Sequence, residues 1–262
     1  MKQRVSEALR RYAQALFGLG INPRKFLALR DYPRYRRDLR AFRKAGGEVA
    51  HKFMILSDFT DQAGTAKGHY FHQDLLVASL IFENKPKRHI DIGSRIDGFV
   101  AHVASFRPIE VYDVRALKDT GHSNITFAEA DLMQGATNGS GVADSLSCLH
   151  AIEHFGLGRY GDQIDPSGHL KGFRNLIKML QISGRLYISF PIGRQDEVHF
   201  NAHRVFHPKS VLSWPTGGHK LTLERFDYVD DQGTLHKQAD LDACAINVQY
   251  GCGIYTFKKD PA

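Results

Sequence analysis

Fourteen histidines stand in this chain of 262 residues, and several fall where proton transfer could be done. His150, Glu153 and His154 close the stretch DSLSCLHAIEH at residues 144–154. His199, His203 and His207 recur four apart in VHFNAHRVFHP. A hydroxyl is a poor nucleophile until its proton leaves, and a neutral histidine near its ordinary pKa is a suitable base. His154 and His203 are therefore the candidate catalytic bases, with Glu153 orienting or binding the acceptor. On a helix, His199, His203 and His207 would form one stripe able to grip a divalent metal. Pro208 and the alternating Val/Phe pattern oppose a continuous helix. The segment is expected to be a loop over the ligand mouth, with His199 and His207 touching the acceptor and no metal ligand assigned. The spacing His150-x-x-Glu153-His154 also matches the inverted zinc-protease pattern. That chemistry needs one long helix, whereas a strand pattern precedes these residues and Gly156, Gly158 and Gly161 follow. His69 and His72 are expected in a lid, with His72 on the acceptor, and Arg194 is a candidate clamp for an anionic group. Cys148 and Trp214 read as packing residues.

Such side chains need a scaffold that brings them to one mouth. Residues 89–92, 109–114, 125–128, 142–149 and 185–190 are short apolar runs that read as strands. Helical patterns separate them at 97–106 and 166–180, the second opened by Asp165-Pro166 and closed by Gly184. Two more strands, 221–229 and 253–258, are joined by a polar stretch without helical period and are expected to pair as an antiparallel hairpin at the sheet edge. Alternating strands and helices predict a doubly wound α/β sheet, whose ligands sit beyond the carboxyl ends of the strands. The loop after the first strand is DIGSRIDG, residues 91–98. Asp113 ends the second strand 20 residues after Gly93, where an acid can accept hydrogen bonds from a ribose diol. Asp131 follows the third strand, where an acid can meet an adenine amino group.

In these positions the chain resembles the class I S-adenosylmethionine-dependent methyltransferases over roughly residues 85–258. Asp91 and Gly93 match the first two fixed positions of that family's acid-x-Gly-x-Gly-x-Gly loop, Asp113 its ribose acid, and Asp131-Leu132 its adenine side. Residues 144–154 are similar to its fourth strand with the Glu-His that follows, and residues 175–191 to its helix, turn and fifth strand. The resemblance implies a Rossmann-like seven-stranded sheet. It also implies S-adenosylmethionine held by Asp91, Gly93, Ser94, Arg95, Asp113, Asp131, Leu132 and His150. The whole chain is also similar to a methyltransferase-like family of unknown function associated with bacterial polysaccharide gene clusters. That implies O-methylation of a small polar acceptor, with a sugar in polysaccharide biosynthesis the acceptor to expect. The family's second and third glycines fall at Arg95 and Asp97, which leaves a non-catalytic binding protein on the same fold as an alternative. Nucleic-acid methylation is a second alternative, although the Asn/Asp-Pro-Pro-aromatic motif of amino-group nucleic-acid methyltransferases is missing.

The charge is distributed unevenly. Residues 1–45 carry 13 Lys/Arg against three Asp/Glu, so the rest of the chain, whose total is +7, is net −3. The basic segment reads as amphipathic helices, one on Val5, Ala8, Leu9, Tyr12 and Leu16, a next opened by Asn22-Pro23, and a third begun at Pro33 with Tyr35, Leu39 and Phe42 on one face and Gly46-Gly47 at its end. The expected division is a basic helical extension and lid over residues 1–84 and a methyltransferase-like domain over 85–262. The basic surface suits an anionic membrane; nucleic acid is not expected as a partner. No apolar run approaches the roughly 20 residues of a membrane span, and no secretory h-region is visible. Three cysteines make no disulfide framework, and a reducing cytoplasm, with contact to the inner membrane face, is the expected location.

Overall fold

The computed structural model describes residues 27–59, 63–135 and 139–261. The helices expected around Val5–Leu16 and from Asn22-Pro23 lie outside them. The described residues fall into two compact units, divided between Thr65 and Ala66.

In the smaller unit a 3-10 turn, Leu27–Asp31, leads into helix α1, Tyr32–Lys44. Pro33 occupies its first turn, where a missing N–H costs nothing. Its faces carry five arginines and Lys44 against Asp38 alone, and α1 buries no residue among the described residues. It stops where Gly46 turns to φ +89°, as the sequence predicts.

The larger unit opens with α2, His69–Asn84, then β1, His89–Ile92. An irregular turn, Ile96–Val100, runs into the short helix α3, Ala101–Ala104. β2 is Ile109–Asp113, β3 Ile125–Glu129 and β4 Ala143–Leu149. α4, Gly168–Met179, leads into β5, Leu180–Gly193. A hairpin of β6, Glu197–His199, and β7, His203–Val205, forms a sheet of its own. β8, Leu221–Val229, β9, Leu235–His236, α5, Leu241–Asn247, and β10, Tyr250–Lys259, complete the unit.

The main sheet has the order β3-β2-β1-β4-β5-β10-β8-β9. β1 to β5 are parallel, and β10 runs antiparallel to both β5 and β8. Both sheet faces are covered, which is why the central strands read as continuous apolar runs. One core packs Phe173, Leu176 and Ile177 of α4 with Cys148, Phe190 and Trp214. The other packs Val77 and Ile81 of α2 with Val100, Val111 and Tyr187. α2 therefore belongs to the sheet unit, and the boundary falls before it rather than after residue 84.

Three elements differ from expectation. The helix expected over 97–106 is replaced by the irregular turn and α3, because Gly98 leaves helical geometry where a Cβ would stand 2.7 Å from Asp74 Oδ2. The last two strands do pair antiparallel, but β10 inserts between β5 and β8, and the polar connection holds β9 at the edge. The same connection holds α5, capped by Asp240, whose side chain accepts from the amides of Asp242 and Ala243. β9 brings the sheet to eight strands instead of seven.

Candidate active site

The loop after β1 is held from beneath. Asp91 is fully buried, and its carboxylate accepts from the Ser94 amide at 3.0 Å, the Ser94 hydroxyl at 2.7 Å and the Ser147 hydroxyl at 2.5 Å. Burial raises its pKa to about 6 against the pull of those hydrogen bonds. Asp91 and Ser94 thus brace the loop from inside the sheet. Gly93 is the contact point: its φ is +72°, its amide donates to the Tyr112 carbonyl at 2.9 Å, and a Cβ there would stand 2.9 Å from that of Ala151. Arg95 and Asp97, at the positions of the missing glycines, meet each other on the surface through bonds of 3.0 and 2.7 Å. Arg95 stays out of the slot below Gly93.

That slot lies between the ends of β1, β2 and β3 and is lined by Gly93, Asp113, Asp131, Leu132, Met133 and Ala151 among others. Asp113 is gripped by Arg115, whose Nε and Nη2 donate to its two oxygens at 2.9 and 2.6 Å. The Arg115 guanidinium also lies 4.4 Å above the Tyr160 ring. Asp131 accepts from the Met133 amide at 2.8 Å, and the buried Leu132 presents its carbonyl to Asn175 Nδ2 at 2.6 Å.

A wider basin adjoins the slot and shares Gly93, Arg115, His154 and Tyr160 with it. Its walls hold His69, His150, His154 and His203, with Arg95, Arg115 and Arg159, and Glu153 is their sole carboxylate. His154 lies at the junction. Its Nδ1 donates to the Ala202 carbonyl at 2.7 Å, which leaves Nε2 as the lone-pair nitrogen. Burial holds its pKa below the ordinary value, so the ring is neutral. Glu153 Oε1 stands 3.8 Å from that Nε2 and accepts from His150 Nδ1 at 2.8 Å. Burial disfavours the charged form of His150, but Cys252 and Glu153 outweigh it and carry its pKa well above 6.5. His203 Nε2 lies 3.3 Å from the Tyr250 hydroxyl, and burial together with His199 lowers its pKa.

The remaining predicted residues lie elsewhere. His72 faces a separate groove with Glu83 and Arg225, and His69, one turn earlier on α2, takes the place expected for it. Arg194 is exposed on the bend after β5 and lines neither slot nor basin. His199, His203 and His207 form no stripe. His199 sits opposite His203 in the β6–β7 hairpin and bonds Glu197 Oε2 at 2.9 Å, while His207 Nδ1 accepts from the Lys209 amide at 3.2 Å in a turn. Sequence reasoning did not assign Tyr70, Arg115, Arg159, Tyr160, Tyr250 and Cys252. Arg115 alone offered a signal, two residues beyond the ribose-type acid.

Solved structures share this arrangement of strands. The [4+2]-cyclase SpnF matches with a TM-score of 0.53 at 13% identity, covering 83% of this chain and 91% of its own. The 1,6-didemethyltoxoflavin-N1-methyltransferase of Burkholderia thailandensis, with 1,6-didemethyltoxoflavin and S-adenosylhomocysteine bound, matches at 0.52 and 13%, covering 92% and 91%. The larger unit has the class I methyltransferase fold. A further structure with this fold, the O-methyltransferase from a trans-AT PKS multienzyme of Brevibacillus brevis in complex with S-adenosylhomocysteine, matches at 0.51 and 13%, covering 72% and 73%. Residues 109–214 match a family described as "Caenorhabditis protein of unknown function, DUF268". No curated protein matches the chain. Because one of these proteins is described as a cyclase, the fold leaves the reaction to be argued from the site. Among the described residues, no helix is long and apolar enough to cross a membrane.

Proposed function

We propose that the protein is an S-adenosylmethionine-dependent methyltransferase acting on an oxygen of a small polar acceptor. The observation that carries this reading is the neutral His154, whose lone-pair nitrogen stands where the slot opens into the basin. The slot fits the cofactor's adenosyl part. Asp113 is placed for the ribose hydroxyls, Asp131 and Leu132 flank the adenine side, and the side-chain-free Gly93 lets the loop approach. Bound there, S-adenosylmethionine supplies a methyl group on a sulfonium, open to in-line attack.

The chain's own residues do the rest. His154 Nε2 takes the acceptor's proton, and Glu153 Oε1 at 3.8 Å stabilises the imidazolium that forms. The basin positions the acceptor and limits water, the main demand of such a displacement. Arg95, Arg115 and Arg159 favour an acceptor that carries a phosphate or carboxylate, and a nucleotide sugar combines that charge with hydroxyls.

The test is isothermal titration with S-adenosylmethionine and S-adenosylhomocysteine, followed by transfer of labelled methyl to nucleotide sugars and glycans. Micromolar binding that is lost in Asp113→Ala is the expected result. His154→Gln is expected to bind the cofactor and to lose transfer. A folded protein with no affinity for either adenosyl ligand overturns the reading in favour of a binding protein.

A further inference from the structure

Three side chains, two of them lining the basin, bring nitrogen and sulfur donors together. One ring nitrogen each of His69 and His150 and the Cys252 sulfur all lie within 4.8 Å of one another. They come from the first turn of α2, the residue after β4 and the body of β10, so only the folded sheet assembles them. The His69 and His150 rings are nearly parallel, 8° apart, with centroids separated by 5.3 Å.

His150 is anchored through one ring nitrogen and not the other. Its Nδ1 is engaged by Glu153, its side chain is only 6% exposed, and its Nε2 finds no hydrogen-bond partner among the described residues. A buried ring nitrogen without a partner is uncommon and needs a cause. Glu153 Oε2 is a second buried atom without one among the described residues. Cys252 is fully buried, its thiol makes long contacts of 3.7 Å to Gln73 Oε1 and the Gly253 carbonyl, and it interacts with the His150 ring.

We propose that His69, His150 and Cys252 form a zinc site with a coordination position open to the basin. Zinc takes mixed imidazole and thiolate ligands, and three protein ligands with one open position are the usual set of catalytic sites. Donors on a tetrahedral zinc, with bonds of about 2.0–2.3 Å, stand roughly 3.3–3.8 Å apart. The three atoms therefore need to close by about 1.5 Å at most. Glu153 bound to His150 Nδ1 is the carboxylate–histidine support that fixes the ring and its tautomer in such sites. On binding, the Cys252 thiol gives its proton to solvent and its sulfur bonds the metal. His69 and His150 line the basin, so the open position faces the acceptor. An acceptor hydroxyl placed there has its pKa lowered and passes its proton to His154. That catalytic role rests on the methyltransferase reading, whereas the metal site itself does not.

The test uses the full chain, stripped with a chelator, dialysed and titrated with zinc alone. The expected result is one zinc per chain, retained through gel filtration. Cobalt in its place should show a thiolate-to-cobalt charge-transfer band and the strong visible bands of a tetrahedral ion. Cys252→Ser should remove the charge-transfer band and weaken zinc at least 100-fold, His69→Ala and His150→Ala should weaken it comparably, and Cys244→Ser should change neither. S-adenosylhomocysteine titration of every variant reports on folding and on the cofactor site separately. Should a variant fail to fold, alkylation of the wild-type protein mapped by mass spectrometry serves instead, with zinc expected to protect Cys252. Failure to retain zinc, a cobalt spectrum without a thiolate band, or a band that survives Cys252→Ser overturns the proposal. Zinc binding without affinity for any adenosyl ligand would leave the metal site standing and remove the methyltransferase reading.

Discussion

Arg115 closes over Asp113, meeting both carboxylate oxygens at 2.9 and 2.6 Å at the mouth of the slot. The acid positioned for a ribose is therefore already engaged by its own chain. The arginine side of the pair is half-exposed, so the ion pair is worth at most about 1 kcal/mol. Ribose hydroxyls can displace it at small cost. Arg115→Ala is expected to tighten S-adenosylhomocysteine about two- to five-fold, the equivalent of that cost, and Asp113→Ala to weaken it well over ten-fold. Titration calorimetry on both variants decides the matter. A large loss of affinity in Arg115→Ala would show that the guanidinium holds the ligand directly rather than guarding its acid.

The loop separates two kinds of glycine position. Gly93 stands at φ +72° with Ala151 against it, so Gly93→Ala meets both backbone strain and a side-chain contact. A destabilisation of about 1–3 kcal/mol is expected, together with weaker cofactor binding. Arg95 and Asp97 instead pair with each other in solvent. Replacing both by glycine should leave cofactor affinity within about two-fold, since an exposed pair contributes little. Urea unfolding and calorimetry compare the two cases. Substantially tighter binding in the double-glycine variant would mean that the side chains do obstruct the slot.

How far the sequence could be read follows from whether a residue's neighbours are local. The strands at 89–92 and 221–229 were legible to the residue, the first as a short buried parallel run and the second, antiparallel and half-exposed, by its alternating pattern. Asp113 and Asp131 were legible in place, since strand ends fix them. Pro208 and the Val/Phe alternation rightly opposed a helix through the histidine segment, but the loop expected there folds as a short hairpin that puts His199 across from His203 and sends His207 into a turn. His69 was expected only as part of a lid, and Tyr250 and Cys252 were not assigned, because their partners come from α2, β4 and β10, which adjoin only in three dimensions. Arg95 could not be judged either: its pairing with Asp97 is a matter of rotamer, which spacing does not determine.

The smaller unit invites a test of its own. α1 carries six cations against one acid, with Phe42 exposed on its surface. Each Lys or Arg near an anionic bilayer contributes about 1 kcal/mol at low salt. The full chain is expected to bind phosphatidylserine vesicles but not phosphatidylcholine vesicles, and to release as salt rises. Reversing Arg36, Arg40 and Arg43 to glutamate should abolish cosedimentation and leave cofactor affinity unchanged. Equal binding to neutral vesicles would contradict an electrostatic contact.

A pH test addresses the polar chain beneath the loop. Ser147 donates its hydroxyl to Asp91, so His89 Nε2, 3.2 Å away, must carry the proton that Ser147 accepts. His89 Nδ1 is then the acceptor of the Ser145 hydroxyl at 2.7 Å. The ring is neutral, and burial lowers its pKa from 6.5 to about 3. Between these values the unfolded chain binds a proton that the folded chain refuses, so stability is complete above about pH 6.5 and erodes as pH falls toward 3. Each pH unit in that window costs about 1.4 kcal/mol. Asp91 acts with the opposite sign. Its pKa, raised from 3.8 to about 6, makes folding take up a proton as pH falls through that range and offsets part of the loss. His89→Gln removes the first effect and keeps the second. Its unfolding free energy should be lower than wild type at pH 7.5, where Ser145 and Ser147 lose their partner, yet should fall less steeply below pH 6.5. Urea titrations at half-unit intervals from pH 7.5 to 4.5 measure both slopes, and parallel slopes would show that His89 is not held neutral in the fold.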